Sequence, residues 1–126
     1  MMTNIQIFDT DFVLRRVPTF LPNYVKEDGS ISSLAFAKKR DEDGLSVDLE
    51  RLSSFEKATL NDKRFRLMKI NVGIVRNDIN DGLDVLHNPI ENHPTIPNND
   101  AHCLIIGHIT GGKQKQLVKN AFEILE

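Results

Sequence analysis

The feature that most constrains the fold is an alternation of apolar and polar residues in the middle of the chain, between Met68 and Arg76. Apolar side chains occupy positions 68, 70, 72 and 74, and Lys69, Asn71 and Gly73 lie between them. Because successive side chains of a strand point to opposite faces, this pattern predicts a strand with one buried face. The turn signal Asn80-Asp81-Gly82 follows, so we expect this strand to form a β-hairpin with Leu83 to His87.

Four other segments are apolar enough to form strands. Asp11 to Val17 and Ala101 to Ile109 are rich in β-compatible apolar residues, which predicts two strands. Ser33 to Ala37 and Leu45 to Asp48 are short apolar runs on either side of a charged loop, and we expect them to form a second hairpin. Asp28-Gly29 predicts a turn in the loop that precedes them.

Two helices are expected. Ser53 and Glu56 have the spacing of a capping box, which predicts a short helix from Ser54 to about Asn61. Lys113 to Glu126 has a broad apolar stripe, which predicts a C-terminal helix lying on the sheet. Together, the elements favour an α+β fold: one domain over residues 1–126, with a mainly antiparallel sheet packed by these two helices.

Composition agrees with one small globular domain. The chain has 126 residues, of which 40% are apolar and 27% charged, and its net charge is −2. This balance gives no electrostatic footprint for duplex DNA. The basic cluster formed by Lys63, Arg64, Arg66 and Lys69 is more typical of a solvated surface than of a binding site.

The single cysteine, Cys103, cannot form an internal disulfide, and the apolar residues that follow it indicate a buried strand position. This favours a reducing compartment. Met1 to Phe8 lacks the features of a signal peptide, and no apolar run approaches the ~20 residues that span a bilayer. We therefore expect a cytoplasmic protein that does not interact with a membrane.

The segment from Asn88 to Asp100, called here the proline-rich loop, contains three prolines and four asparagines. This composition excludes a helix or an inner strand. A loop of thirteen residues in a compact domain is often functional or mobile. One hypothesis is therefore that it contacts a protein partner.

Histidine spacing argues against a metal site, and no cofactor is expected. His102 and His108 would lie roughly 20 Å apart along a regular strand, too far to share an ion. Gly107 to Lys113 matches the first seven places of the phosphate-binding loop, but Gln114 occupies the eighth, where a hydroxyl would hold magnesium. We interpret this match as coincidence.

A second hypothesis is an anion site at the start of the last predicted helix. Gly111 and Gly112 would expose amide donors beside Lys113 and Lys115, whose charges the helix dipole disfavours unless an anion lies between them. The alternative is that solvent screening makes these lysines tolerable. A small anionic ligand is thus one candidate partner, beside the unknown protein.

Arg15 and Arg16 are consecutive in a predicted strand, so their side chains point to opposite faces. At least one guanidinium therefore follows an apolar row. If that row faces the core, the arginine needs a carboxylate or a bound anion. Alternatively, it lies at the rim of the sheet and reaches water.

Several segments together resemble a set of small uncharacterised bacterial proteins to which no activity is assigned. They are Arg15 to Pro18, Asp28 to Phe36, Gly44 to Asp48, His87 to Pro89 and Asn99 to His102. The resemblance extends from Leu14 to about Ile109 and implies a bacterial or phage origin and one compact domain, but no reaction.

The polar residues of these segments are the candidates for a ligand-binding site: Arg15, Arg16, Ser32, Ser33, Ser46, Asp48, His87 and His102. The alternative is that they cap turns and satisfy backbone groups. Our leading hypothesis is a non-catalytic binding or interaction domain. The second is an enzyme, or the remnant of one, that acts on a phosphorylated or nucleotide-like ligand through Arg15 or Arg16, Ser33 and His102.

Overall fold

A computed structural model describes residues 5–21, 23–38, 42–54, 58, 64–79 and 83–124. Within these residues the strands are β1 (Phe12–Pro18), β2 (Leu45–Leu49), β3 (Phe65–Asn71), β4 (Asp84–His87), β5 (His102–Ile106) and β6 (Phe122–Ile124). The helical elements are the α-helix α1 (Gly111–Asn120), two 3₁₀ helices (Ser33–Phe36 and Glu50–Leu52) and a π-helical segment (Ile74–Asp78).

The six strands of the described chain form one sheet in the order β4-β5-β2-β1-β3-β6. Every neighbouring pair is antiparallel. The predicted α+β class with a mainly antiparallel sheet is therefore confirmed, as are the strands predicted near residues 11–17 and 101–109. No helix in the described segments has the length and apolar character needed to cross a membrane.

The hydrophobic core lies on one face of this sheet, called here the inner face. Alternate strand residues such as Val13, Val47 and Ile105 point to it and are almost completely buried. Phe36 of the first 3₁₀ helix and Leu117 of α1 are fully buried in the same cluster. The C-terminal helix thus covers the inner face, as predicted.

The opposite, outer face has a different composition. On this face, the alternate residues of the central strands β1 and β2 are Phe12, Leu14, Arg16, Pro18, Ser46 and Asp48, so polar and charged side chains lie beside apolar ones. A small second apolar cluster joins Leu14 to Ala58 and Leu67 at one side of this face. The outer face thus carries polar and charged groups near the centre of the sheet.

The expected hairpin between residues 33–37 and 45–48 is wrong. Ser33–Phe36 is a 3₁₀ helix, and the hydroxyl oxygen of Ser32 caps it by accepting a hydrogen bond from the Leu34 N–H at 3.2 Å. This helix buries Ala35 and Phe36 in the hydrophobic core. β2 pairs with β1 and β5 instead.

The expected hairpin between residues 68–76 and 83–87 is also wrong. β3 ends at Asn71, whose side-chain oxygen accepts a hydrogen bond from the Ile74 N–H at 3.1 Å and starts the π-helical segment. The N–H groups of Val72 and Gly73 pair with carbonyls of Asp11 and Asp9 rather than with a continuing strand. β4 pairs with β5. The predicted turn at residues 80–82 lies outside the described residues.

The C-terminal helix is shorter than predicted. It ends at Asn120, and Phe122–Ile124 forms the edge strand β6 against β3. Two contacts stabilise β6 at the edge of β3. Arg66 forms an ion pair with Glu123, and the rings of Phe12 and Phe122 meet edge to face.

The helix predicted from Ser54 to Asn61 lies almost entirely outside the described residues, as does Glu56 of its capping box. At Ala58, which is described, the N–H donates to the Ser54 carbonyl at 2.9 Å.

Candidate functional site

The outer face of the sheet and the proline-rich loop enclose a cavity of about 680 Å³, called here the sheet pocket. Binding sites for small molecules are roughly 300–1,000 Å³, so its size is ordinary for such a site. Its apolar lining residues are Leu14, Val47, Leu52, Ile90, Ile96 and Pro97, and its polar or charged ones are Arg15, Arg16, Ser46, Asp48, Ser53, Asn98, Asn99, Asp100 and His102.

The proline-rich loop is held over the sheet by specific hydrogen bonds. Ile90 and Asn99 pair through both backbone groups at 2.9 Å, which closes the loop on itself. The Asn99 side-chain amide donates to Asp48 Oδ1 at 2.9 Å and so joins the loop to β2. The absence of helix and inner strand from this segment agrees with the prediction, and its role as a contact for a protein partner stays a prediction.

Asp48 is the most buried charged group of the sheet pocket, with 9% of its surface exposed. It lies opposite Leu14 on β1 and opposite His102 on β5. Its Oδ1 accepts the hydrogen bond from Asn99, and within the described chain no donor reaches its Oδ2. A buried carboxylate oxygen without a donor is costly, so this atom is available to a ligand.

His102 is held in one orientation at the start of β5. Its Nδ1 lies 2.7 Å from the Asn88 carbonyl oxygen, and its Nε2 lies 3.2 Å from Ser46 Oγ. A carbonyl oxygen only accepts hydrogen bonds, so Nδ1 carries a proton, and in the neutral form of the ring the Ser46 hydroxyl donates to Nε2.

The two consecutive arginines have different surroundings. Arg16 lines the sheet pocket, where its guanidinium donates to the Ala58 carbonyl at 3.1 Å and lies 5.4 Å from the centre of the Phe65 ring. A guanidinium has five N–H donors, and this is the one hydrogen bond that it makes to the described residues. Arg16 therefore has donors available for a ligand.

Arg15 points to the inner face, beside the core. Its guanidinium donates to the carbonyls of Ala35 at 2.8 Å and Ser46 at 2.9 Å. Burial lowers the pKa of Arg15, and the negative charge of Glu42 opposes that effect. The hydrogen-bond partners that a guanidinium needs beside the core are thus largely backbone carbonyls. Arg15 is among the residues that line the sheet pocket, but its guanidinium is hydrogen-bonded to these carbonyls and supports β2 at Ser46.

The remaining predicted ligand-binding residues lie elsewhere. His87 is buried, accepts from the Ile5 N–H at Nδ1 (3.0 Å), and donates from Nε2 to the Asp100 carbonyl (2.7 Å), so both ring nitrogens are used. Ser32 and Ser33 belong to the first 3₁₀ helix and its cap. The predicted combination of an arginine, Ser33 and His102 is therefore not assembled, and Ser46 is the serine that contacts His102.

The predicted anion site is partly occupied by the chain itself. The Thr110 hydroxyl oxygen caps α1 by accepting from the Lys113 N–H at 3.2 Å, and the Lys113 amine donates to the His108 carbonyl at 2.8 Å. Gly111, Gly112 and Lys115 lie beside this cap. Anion binding there stays a prediction.

The basic cluster is used in contacts within the chain. Arg66 pairs with Glu123, and Lys69 pairs with Glu50 at 2.5 Å. Arg64 lies 4.1 Å from the centre of the Phe20 ring. Lys63 lies outside the described residues. These contacts agree with the interpretation of the cluster as ordinary surface charge.

Cys103 has the buried position expected from its apolar neighbours. Burial and the nearby charge of Asp48 raise the pKa of its thiol to about 12, so it is an unreactive inner-face residue. In the part of the chain that the structure describes, no three histidine, cysteine, aspartate or glutamate side chains come together as a metal site would require.

Comparisons with protein-family models, curated proteins and solved structures give no match for this chain. Any functional interpretation therefore depends on the geometry of the sheet pocket.

Proposed function

We propose that this protein is a binding domain for a small molecule that occupies the sheet pocket. The observation that carries the proposal is the combination, in one cavity of about 680 Å³, of apolar walls with the polar side chains of Arg16, Asp48 and His102. Ligand sites in proteins have this composition: a mostly apolar lining with a few polar groups that fix orientation.

The polar groups indicate what the ligand offers. Asp48 Oδ2 offers an acceptor to a hydrogen-bond donor of the ligand, since Asp48 is only 9% exposed as a residue and the Asn99 amide donates to its other oxygen. Arg16 has donors for an acceptor or an anionic group. A ligand with an apolar body and a polar end carrying both a donor and an acceptor fits this arrangement.

Half of the apolar residues that line the sheet pocket, namely Ile90, Ile96 and Pro97, belong to the proline-rich loop. Ile96 is 45% exposed although it is a large apolar residue, and it lines the cavity together with Pro97. Covering such a side chain is worth about 25 cal/mol for each Å² of apolar surface removed from water. The loop therefore supplies binding energy, while the sheet supplies orientation.

A thermal-shift screen tests this proposal, with separate sets of neutral amides, zwitterions and phosphorylated anions, followed by calorimetry on the compounds that stabilise the protein. We expect a hit whose affinity falls at least tenfold in Asp48→Asn, which removes the carboxylate charge at nearly constant shape. The control is Glu27→Gln, an equal change of charge at an exposed position outside the pocket.

The proposal is wrong if no compound of the screen stabilises the protein, or if Asp48→Asn and Glu27→Gln bind the hit equally well. A hit from the phosphorylated set that depends on Arg16 and not on Asp48 would instead support the anionic ligand expected from the sequence.

A further inference from the structure

Ser46, His102 and the Asn88 carbonyl form a continuous chain of hydrogen bonds at the wall of the sheet pocket. The distances are 3.2 Å from Ser46 Oγ to His102 Nε2 and 2.7 Å from His102 Nδ1 to the Asn88 oxygen. Nucleophilic catalysis uses this sequence of groups: a hydroxyl, a base within hydrogen-bond reach, and a third group that orients the base. The three parts come from β2, β5 and the proline-rich loop.

We propose that Ser46 is a nucleophile activated by His102, and that the sheet pocket hydrolyses small carboxylic esters. This inference rests on the proposed function, because the ester must enter the same cavity as the ligand. Two pocket residues, Ser46 and His102, act as catalytic residues, and the Asn88 carbonyl holds the histidine tautomer.

The tautomer is the one that catalysis requires. Because the Asn88 carbonyl can only accept, the Nδ1 proton is fixed there and the Nε2 lone pair faces the Ser46 hydroxyl. When His102 takes the serine proton, the resulting imidazolium keeps its hydrogen bond to the carbonyl. The carbonyl thus orients the base in both states, as the carboxylate does in the serine protease triad.

The nucleophile and the base lie on rigid elements. Ser46 is opposite Leu104 in the β2–β5 ladder, and its own carbonyl accepts from the inward-pointing Arg15 guanidinium at 2.9 Å. His102 lies two residues from Leu104 on the same face of β5, so it is a diagonal cross-strand neighbour of Ser46. Sites built on strands keep their geometry better than sites built on loops.

The reaction balances with water as the only co-reactant. Ser46 Oγ forms a bond to the ester carbonyl carbon while its proton moves to His102 Nε2, and the ester C–O bond then breaks as the alcohol leaves with that proton. Water attacks the acyl-serine, His102 takes a proton from it, and the carboxylic acid is released as the proton returns to Ser46. Arg16, on the same wall, has N–H donors available for the negative carbonyl oxygen of the tetrahedral intermediates.

The first test is covalent labelling, which does not depend on knowing the natural ester. A fluorophosphonate probe should add to Ser46, as found by mass spectrometry of the digested protein, and His102→Gln should reduce the labelling rate at least 100-fold. Ser30→Ala, which alters an exposed turn serine, should label like the wild type. Labelling that is absent at Ser46, or that does not depend on His102, overturns the proposal.

The second test is hydrolysis of p-nitrophenyl acetate and butyrate. Ser46→Ala should lower kcat/KM at least 100-fold, and Ser30→Ala should leave it within twofold of the wild type. Circular dichroism melts show whether Ser46→Ala is folded, and the serine-to-cysteine variant Ser46→Cys gives a second nucleophile at the same place, detectable with a thiol-specific reagent. Equal rates for wild type and folded Ser46→Ala overturn the proposal.

The two proposals fail in distinguishable ways. If a ligand binds in an Asp48-dependent manner but Ser46 neither labels nor supports hydrolysis, the sheet pocket binds without catalysing. If Ser46 labels through His102 while no Asp48-dependent ligand is found, the catalytic assignment stands and the ligand chemistry proposed above is wrong.

Discussion

Replacing Asn99 by alanine should release the proline-rich loop from the sheet. The side chain of Asn99 makes two hydrogen bonds: its amide donates to Asp48 Oδ1 at 2.9 Å, and its oxygen accepts from the Ala101 N–H at 3.1 Å. A hydrogen bond to a charged group contributes about 1.5–3 kcal/mol, and here its loss removes the donor from the carboxylate of Asp48, a residue that is 9% exposed. We therefore expect a free energy of unfolding lowered by about 1.5–3 kcal/mol for Asn99→Ala.

The measurement is urea denaturation monitored by circular dichroism, with Asn98→Ala as the matched control. Asn98 accepts one exposed hydrogen bond, from the Asn92 N–H at 3.1 Å, so its loss should cost about 0.5 kcal/mol. For a domain of this size, the change expected for Asn99→Ala lowers Tm by roughly 5–12 °C.

A double-mutant cycle isolates the contact itself. In an Asp48→Ala background, Asn99→Ala should cost less than in the wild type, with a coupling energy of at least about 0.5 kcal/mol. Equal effects of Asn98→Ala and Asn99→Ala, or a coupling energy near zero, would show that the contact between Asp48 and Asn99 does not hold the loop.

Three other consequences can be measured. Burial acts to raise the pKa of Asp11, but hydrogen bonds from Arg51 and the Phe8 N–H outweigh it and lower the pKa; stability from this group is present above the unfolded pKa of about 3.9 and is lost as pH falls through the folded value. In urea titrations, Asp11→Asn should therefore weaken the dependence of the free energy of unfolding on pH between pH 5 and 2. An unchanged pH dependence would contradict this. Replacing Lys113 and Lys115 by glutamine should weaken stabilisation by phosphate while raising Tm slightly in anion-free buffer; unchanged phosphate dependence would refute the anion site. Phe36→Ala should lower the free energy of unfolding by about 3–5 kcal/mol, because the ring is fully buried, whereas the half-exposed Phe122→Ala should cost much less in the same assay.

The sequence predicts the strands better than their partners. The alternation in residues 68–71 and the apolar run in 102–106 both lie in observed strands. Alternation tells which face of a strand is buried and nothing about which strand lies beside it. β4 could pair with the strand before it or the strand after it, and it pairs with β5 across the longer proline-rich loop.

Element ends are set by contacts that are distant in the sequence. Val72 and Ile74 continue the alternating pattern, yet β3 stops at Asn71 because the N–H groups that follow find carbonyls in the segment before β1. Similarly, the apolar stripe continues past Asn120, but the free edge of β3 takes Phe122–Ile124 as a strand. In both cases tertiary hydrogen bonding overrides a local periodicity.

The adjacent arginines show why only part of the candidate site was predictable. Strand alternation implies that Arg15 and Arg16 face opposite ways, but the core side follows only from the packing. Arg15 points inward, where a charge is unexpected, and its guanidinium donates to the Ser46 carbonyl. This hydrogen bond holds the backbone of Ser46, the proposed nucleophile, in place. Arg16 points outward into the same pocket as Ser46 and His102. The Ser46–His102 contact itself depends on the register of β2 against β5, which no local pattern in either segment contains.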